Sequence, residues 1–167
     1  MAKINGIEIK GVKIFLDHEG CQIAQGNVYY KGKKLGSWSQ DSWGGPDRFG
    51  FDTSILDKEV KKYRDSNKVK EEDKSICNLE ILLFDLLELK DIEDEYKKCI
   101  KKGYKLYVRA TDGYHICGYY AKEPSVEDVF DTPFYRKFFR ECKNKFFKSW
   151  DGKIEIYSSL DDFTIEV

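Results

Sequence analysis

Three carboxylates, Asp41, Asp47 and Asp52, share the stretch Lys33–Asp52 with Trp38, Trp43, Gly44, Gly45 and Pro46. Loop carboxylates are ligands for hard cations, but the intervals of six and five residues between these three do not match a calcium loop. Pro46–Asp47 is half of a metal-nuclease pattern that wants Glu-x-Lys on the next strand. Glu8-Ile-Lys10 precedes it and Glu59-Val-Lys61 falls on a predicted helix, so neither completes it. No phosphate-binding glycine loop, nucleophile elbow or H-E-x-x-H helix is present. The two histidines, His18 and His115, have no local nucleophile and read as ordinary surface or core residues. His115-x-Cys117 offers two metal ligands on one strand face, and nothing nearby supplies the rest of a zinc set. The expectation is a protein without catalytic residues, metal or cofactor.

The same stretch is rich in turn chemistry. Gly44-Gly45-Pro46-Asp47 combines positive-φ positions, a fixed φ and a side chain that bonds its own backbone. Trp38 is expected in the core, with Phe49 and Phe51 alternating toward it. Trp43 has no such place: it is either a lid folded back on the core or an exposed anchor. Large aromatics held on a rigid turn are typical interface anchors. Trp43, Asp41, Gly44, Gly45 and Asp47 therefore form one candidate protein-binding surface.

Charge suggests a second surface. Lys and Arg total 29 against 30 Asp and Glu, so the chain is close to neutral, which argues against a general nucleic-acid coat or membrane-surface protein. The charges are nevertheless segregated. Glu71–Glu95 holds ten acids and two bases, whereas Tyr96–Arg109 holds six bases and no acid, and Phe134–Lys153 holds seven bases and two acids. Either neighbouring faces pair these blocks, or an acidic face carrying Asp85, Glu88, Asp91 and Asp94 mimics nucleic acid in a partner's basic groove. A basic helix bearing Phe and Tyr would instead touch nucleic acid directly.

The elements that must position these residues follow from periodicity. Ile7–Leu16 and Gln22–Tyr30 alternate as strands, a turn at Lys31–Lys33 leads into Leu35–Ser39, and the three form a meander. Ser54–Asp65 reads as a helix and Ser66–Lys74 as a polar connection. Ile76, Leu79, Leu82, Leu83, Leu86 and Leu87 mark a helix, and Ile92, Tyr96 and Ile100 mark another after a break near Lys90–Asp91. Gly103 stands at the helix C′ position. Asp112–Gly113 joins Tyr104–Thr111 to Tyr114–Tyr120 as a hairpin. Ser125 is an N-cap, Phe134–Phe147 a helix and Lys153–Tyr157 a last strand. The order βββ-ααα-ββ-α-β gives an α+β fold, a mainly antiparallel sheet with helices on one face. One domain, 1–167, is expected, with 66–74 as the place for any subdomain split. The five cysteines, an odd number without a C-x-x-C pair, read as reduced core residues.

The run from Gly36 through Trp38, Asp41, Trp43, Gly44-Gly45-Pro46-Asp47 to Phe49, together with Lys101–Arg109 and Lys153–Phe163, resembles a family of small accessory proteins of bacteriophages and prophages. The resemblance covers most of the chain as an order of motifs. Some small phage proteins of this kind block bacterial immunity, CRISPR systems included. The resemblance implies a stoichiometric inhibitor of a host defence protein or nucleoprotein complex, with no catalytic residue to carry over. With no apolar run of the ~18 residues a membrane span needs and no signal-like start, the expected location is the cytoplasm of a bacterial host. A sheet edge near the final strand can pair two copies into a homodimer. Two other readings stand beside the inhibitor: a small-ligand or nucleotide-sequestering protein using stacked aromatics with Arg109 or Arg136, and a metal-dependent nuclease or hydrolase.

Overall fold

The computed structural model describes residues 1–111, 116–122, 137 and 153–167. The fold is α+β, with mainly antiparallel sheets. The chain divides into two compact units, Met1–Asp91 with Phe163–Val167, and Ile92–Asp162. The polar connection at 66–74 lies inside the first unit.

The first unit is built on a six-stranded sheet in the order β5-β4-β3-β2-β1-β9. Its strands are β1 (Lys3–Ile4), β2 (Ile7–Leu16), β3 (Gln22–Tyr30), β4 (Lys33–Ser39), β5 (Arg48–Phe49) and β9 (Thr164–Ile165). All neighbours are antiparallel except β1 and β9. Two-residue turns make the first and third hairpins. Asn5–Gly6 and Lys31–Gly32 all adopt positive φ, as a turn matching the strand twist requires. The Lys31 amide donates to the Gly6 carbonyl at 2.9 Å and ties the two turns together.

One sheet face carries Ile7, Ile9, Val28 and Trp38, all buried, and the other carries Lys10, Tyr29, Gln25 and Ser37. A bulge between Lys10 and Lys13 resets the alternation of β2. Helix α1 (Asp57–Asp65) follows a 3₁₀ turn at Thr53–Leu56, whose start Asp52 caps by accepting the Ser54 amide. It is fixed to the sheet through Glu59. The Glu59 carboxylate accepts the Tyr30 hydroxyl, and its carbonyl accepts the Asn5 side-chain amide.

Helix α2 spans Leu79–Lys101 without a break at Lys90–Asp91, and the division between the two units falls within it. It starts three residues later than the apolar series suggests. Asn78 takes the cap position, accepting the Ile81 amide at 3.1 Å, so Ile76 stays outside the helix and exposed. Gly103, at positive φ, ends the helix as expected.

The second unit holds the sheet β7-β6-β8, formed by β6 (Leu106–Thr111), β7 (Ile116–Ala121) and β8 (Lys153–Tyr157). Leu106, Val108 and Ala121 form its apolar cluster, packed by Tyr119, Ile154 and Ile156. The turn at Asp112–Gly113, the Ser125 cap, the helix Phe134–Phe147 apart from Lys137, His115 and Cys142 lie outside the described residues. Of the other cysteines, Cys77 and Cys99 are buried, Cys117 is half-buried and Cys21 is exposed. No described helix is long and apolar enough to cross a membrane.

Candidate recognition site

The loop after β4 is built on Asp41. Gln40 first extends the β3–β4 ladder: its amide donates to the Ala24 carbonyl at 2.9 Å and its side-chain oxygen accepts the Ala24 amide at 2.7 Å. The chain then wraps around the Asp41 carboxylate. One oxygen accepts the Trp43 amide at 3.1 Å and the Gly45 amide at 3.0 Å, and the other accepts Arg48 at 2.9 Å. The Gly45 and Trp43 amides, with Arg48 beside them, hold the Asp41 carboxyl below the usual range. Gly44 sits at φ +74°, and a Cβ on Gly45 would stand 3.0 Å from the Asp41 oxygen that closes the loop. Both glycines are therefore part of the geometry that places Trp43.

Trp43 is 77% exposed. It is not a lid on the core. Its ring lies on that of His18, with centroids 4.0 Å apart and planes 31° from parallel. His18 belongs to the turn between β2 and β3, where Asp17 accepts the Glu19 and Cys21 amides. The loop and the hairpin tip thus present one aromatic surface. His18 reads as unremarkable in the sequence because only the fold brings it to Trp43.

Asp47 has a different task. Its carboxylate accepts the indole N–H of buried Trp38 at 2.7 Å, and its amide donates to Glu80 at the start of α2 at 3.0 Å. Burial pushes the Asp47 carboxyl up, although the Trp38 bond opposes the shift. It anchors the far end of the loop to the core.

The acidic helix does not offer four equivalent carboxylates. Asp85 is half-buried and accepts the Tyr63 hydroxyl at 2.9 Å, and burial raises its pKa. Glu88 and Asp91 are exposed, whereas Asp94 is half-buried beside Lys97 at 3.8 Å. Asp94 belongs to the second unit and the other three to the first.

Arg109, the cation offered for a small ligand, is buried and donates to Glu155 at 2.9 Å, beside the stacked pair Tyr107 and Tyr157. Arg136 lies outside the described residues. Among the described residues no group of three or more His, Cys, Asp and Glu side chains can hold a metal ion. An open recess lies between the Asn5–Gly6 and Lys31–Gly32 turns. It is lined by Lys3, Lys31 and Lys62 against Glu8, Glu59 and Glu166, a set that neutralises itself.

No family model, no curated protein and no solved structure matches the chain.

Proposed function

We propose that this protein is a non-enzymatic binding factor that inhibits a host defence protein stoichiometrically, and that Trp43 is the anchor of its contact surface. One observation carries the reading: a large aromatic side chain is held in solvent by a loop that commits a carboxylate, two glycines and an arginine to fixing its backbone. Side-chain exposure of an indole costs hydrophobic free energy, and a rigid exposed Trp returns it only when a partner covers it. His18 widens the anchor into a two-ring platform. Glu88 and Asp91 supply acidic contacts on α2, while Asp47 positions the loop from behind and Asp85 is engaged with Tyr63.

The resemblance to phage accessory proteins directs the choice of partner to a bacterial defence protein or nucleoprotein complex. The test is reconstitution of immunity against a challenged phage or plasmid, with wild type and Trp43→Ala compared at equal expression. Loss of inhibition and of a near-equimolar complex in Trp43→Ala, with unchanged melting temperature, is the expected result. Full inhibition by Trp43→Ala overturns the assignment of the surface. No inhibition of any defence system by wild type overturns the function.

A further inference from the structure

Among the described residues, the six-stranded sheet has one unguarded edge. Strand β1 covers β2 only at Ile7, and the bulge between Lys10 and Lys13 interrupts the strand beyond it. The stretch after the bulge, Lys13–Leu16, pairs with β3 on one side, and among the described residues nothing pairs with it on the other. Its apolar side chains are uncovered: Ile14 is 49% exposed, Phe15 42% and Leu16 68%. The sheet's other boundary strands are treated differently. Strands β5 and β9 are two residues long, and β4 begins with Lys33 and Lys34. Short strands and lysines are the usual protection of an edge.

The direction of the free backbone groups follows from the register. The Gln40 amide bonds the Ala24 carbonyl, so Ala24 turns its backbone toward β4. Ile14 lies opposite Ala24 in an antiparallel pair, so its own N–H and C=O turn to the outer edge, and those of Leu16 do the same. Lys13, Phe15 and Asp17 turn inward, and the Asp17 amide bonds the Cys21 carbonyl across the hairpin. Two donors and two acceptors thus stand in a row beside exposed apolar side chains.

We infer that this edge pairs with the same edge of a second copy of the chain, antiparallel and about a two-fold axis through Phe15. In that register Ile14 of one copy and Leu16 of the other exchange their outward N–H and C=O groups. Phe15 meets Phe15 of the second copy. Lys13 stands opposite Asp17 of the second copy, twice, in the closer, non-hydrogen-bonded type of pair. That charge complementarity singles out a second copy as the occupant. The Lys13 ammonium makes no ion pair among the described residues, and Asp17 uses only Oδ1 in its turn. The strand is therefore complementary to itself, as a closed two-fold interface requires. The inference rests on the edge alone and is independent of the recognition reading. A contact of this length buries less than the ~1,200 Å² of a standard stable interface, which points to a reversible dimer in the micromolar range or weaker.

Sedimentation velocity on the full chain from micromolar to millimolar concentration is the first measurement, with a concentration-dependent dimer expected. Lys13→Glu places like charges opposite each other twice and is expected to weaken association at least about tenfold, with circular dichroism unchanged. Register is tested by cross-linking in a Cys21→Ser/Cys142→Ser background, which removes the thiol that is exposed among the described residues and the one that lies outside them. Phe15→Cys puts two thiols at a non-hydrogen-bonded pair, with Cα atoms about 4.5 Å apart, and is expected to oxidise rapidly to a dimer. Lys13→Cys, away from the axis, is expected to cross-link at least about tenfold more slowly. A strict monomer at millimolar concentration overturns the inference. So does a dimer that Lys13→Glu leaves intact, or equal cross-linking by the two cysteine variants.

Discussion

The indole N–H of Trp38 donates to Asp47 across 2.7 Å, joining the buried floor of the sheet to the far end of the loop that carries Trp43. The bond answers a requirement of burial: an indole N–H without a partner is costly in an apolar core. Asp47→Ala is expected to destabilise the protein by about 1–3 kcal/mol, read as a fall in the midpoint of thermal or urea unfolding. Asp47→Asn keeps an acceptor in place and is expected to lose less. Trp43→Ala, by contrast, is expected to leave the midpoint nearly unchanged, because its ring touches the exposed His18 and little else of the core. A large loss in Trp43→Ala would return that side chain to a structural role.

Gly36 makes a stronger steric demand than a twisted strand alone. A Cβ there would lie 2.5 Å from the Gly50 carbonyl oxygen, a backbone atom that cannot swing aside. The Gly50 amide bonds the Ser37 carbonyl at 2.9 Å, so the chain is held against β4 at that point. Gly36→Ala is expected to cost at least about 2 kcal/mol through overpacking, measured by chemical denaturation. Gly32→Ala meets no atom, and its cost is limited to strain at φ +80°, about 1 kcal/mol. A Gly36→Ala variant as stable as wild type would show that the segment after β5 can move away from β4.

Much of this architecture was legible because local signals and tertiary packing agree. Strands Ile7–Leu16 and Gln22–Tyr30 show the alternation expected of a sheet, in the first of them up to the bulge after Lys10, and the turn at Lys31–Gly32 is set by a glycine at positive φ. Asn5–Gly6 carries an equally strong hairpin signal, but the strand before it is only Lys3–Ile4, too short for alternation to show. Asn78 is a good helix cap hidden by the apolar Ile76 and Cys77 before it. The break read near Lys90–Asp91 coincides with the division between the two units, but the helix itself runs unbroken through Asp91–Ile92. Of the candidate site, the turn residues Gly44 and Gly45 and the odd position of Trp43 were visible. The inward use of Asp47 and Asp85, and the contact of Trp43 with His18, depend on pairings distant in sequence.

Asp85 shows how an acidic run conceals a buried member. Its carboxylate holds the Tyr63 hydroxyl at 2.9 Å, and burial, with the charge and hydrogen bond of Asp85, drives the Tyr63 phenol far above its usual range. Asp85→Ala orphans that hydroxyl and is expected to cost about 1–2 kcal/mol. Asp85→Asn retains an acceptor and removes a half-buried charge, so its stability at pH 7 is expected to equal or exceed that of wild type. The sign follows from the raised carboxyl pKa, which penalises the folded state at high pH and relaxes as pH falls through it. Comparing the unfolding midpoints of the two variants across pH 4 to 8 checks this; greater damage from Asn than from Ala would refute it.

The loop that presents Trp43 has the opposite pH sign. Asp41 is held below its ordinary value of 3.8, first by the Gly45 and Trp43 amides and then by Arg48. A depressed carboxyl lends order that is fully present above the unfolded value and is lost as pH falls through the folded one. The loop is therefore expected to stay closed at pH 5 and to open only below the ordinary aspartate range. Opening frees the Trp43 and Gly45 amides and lifts the indole away from His18. The difference in tryptophan fluorescence between wild type and Trp43→Phe isolates this ring from Trp38 and Trp150. Measured in a His18→Gln background, so that the imidazole against the ring adds no signal of its own, that difference is expected to change below pH 4 and hold constant from pH 5 to 7, while Asp41→Ala in the same background is expected to show the open-loop signal at every pH. A transition centred at or above pH 5 would mean that a group other than Asp41 closes the loop.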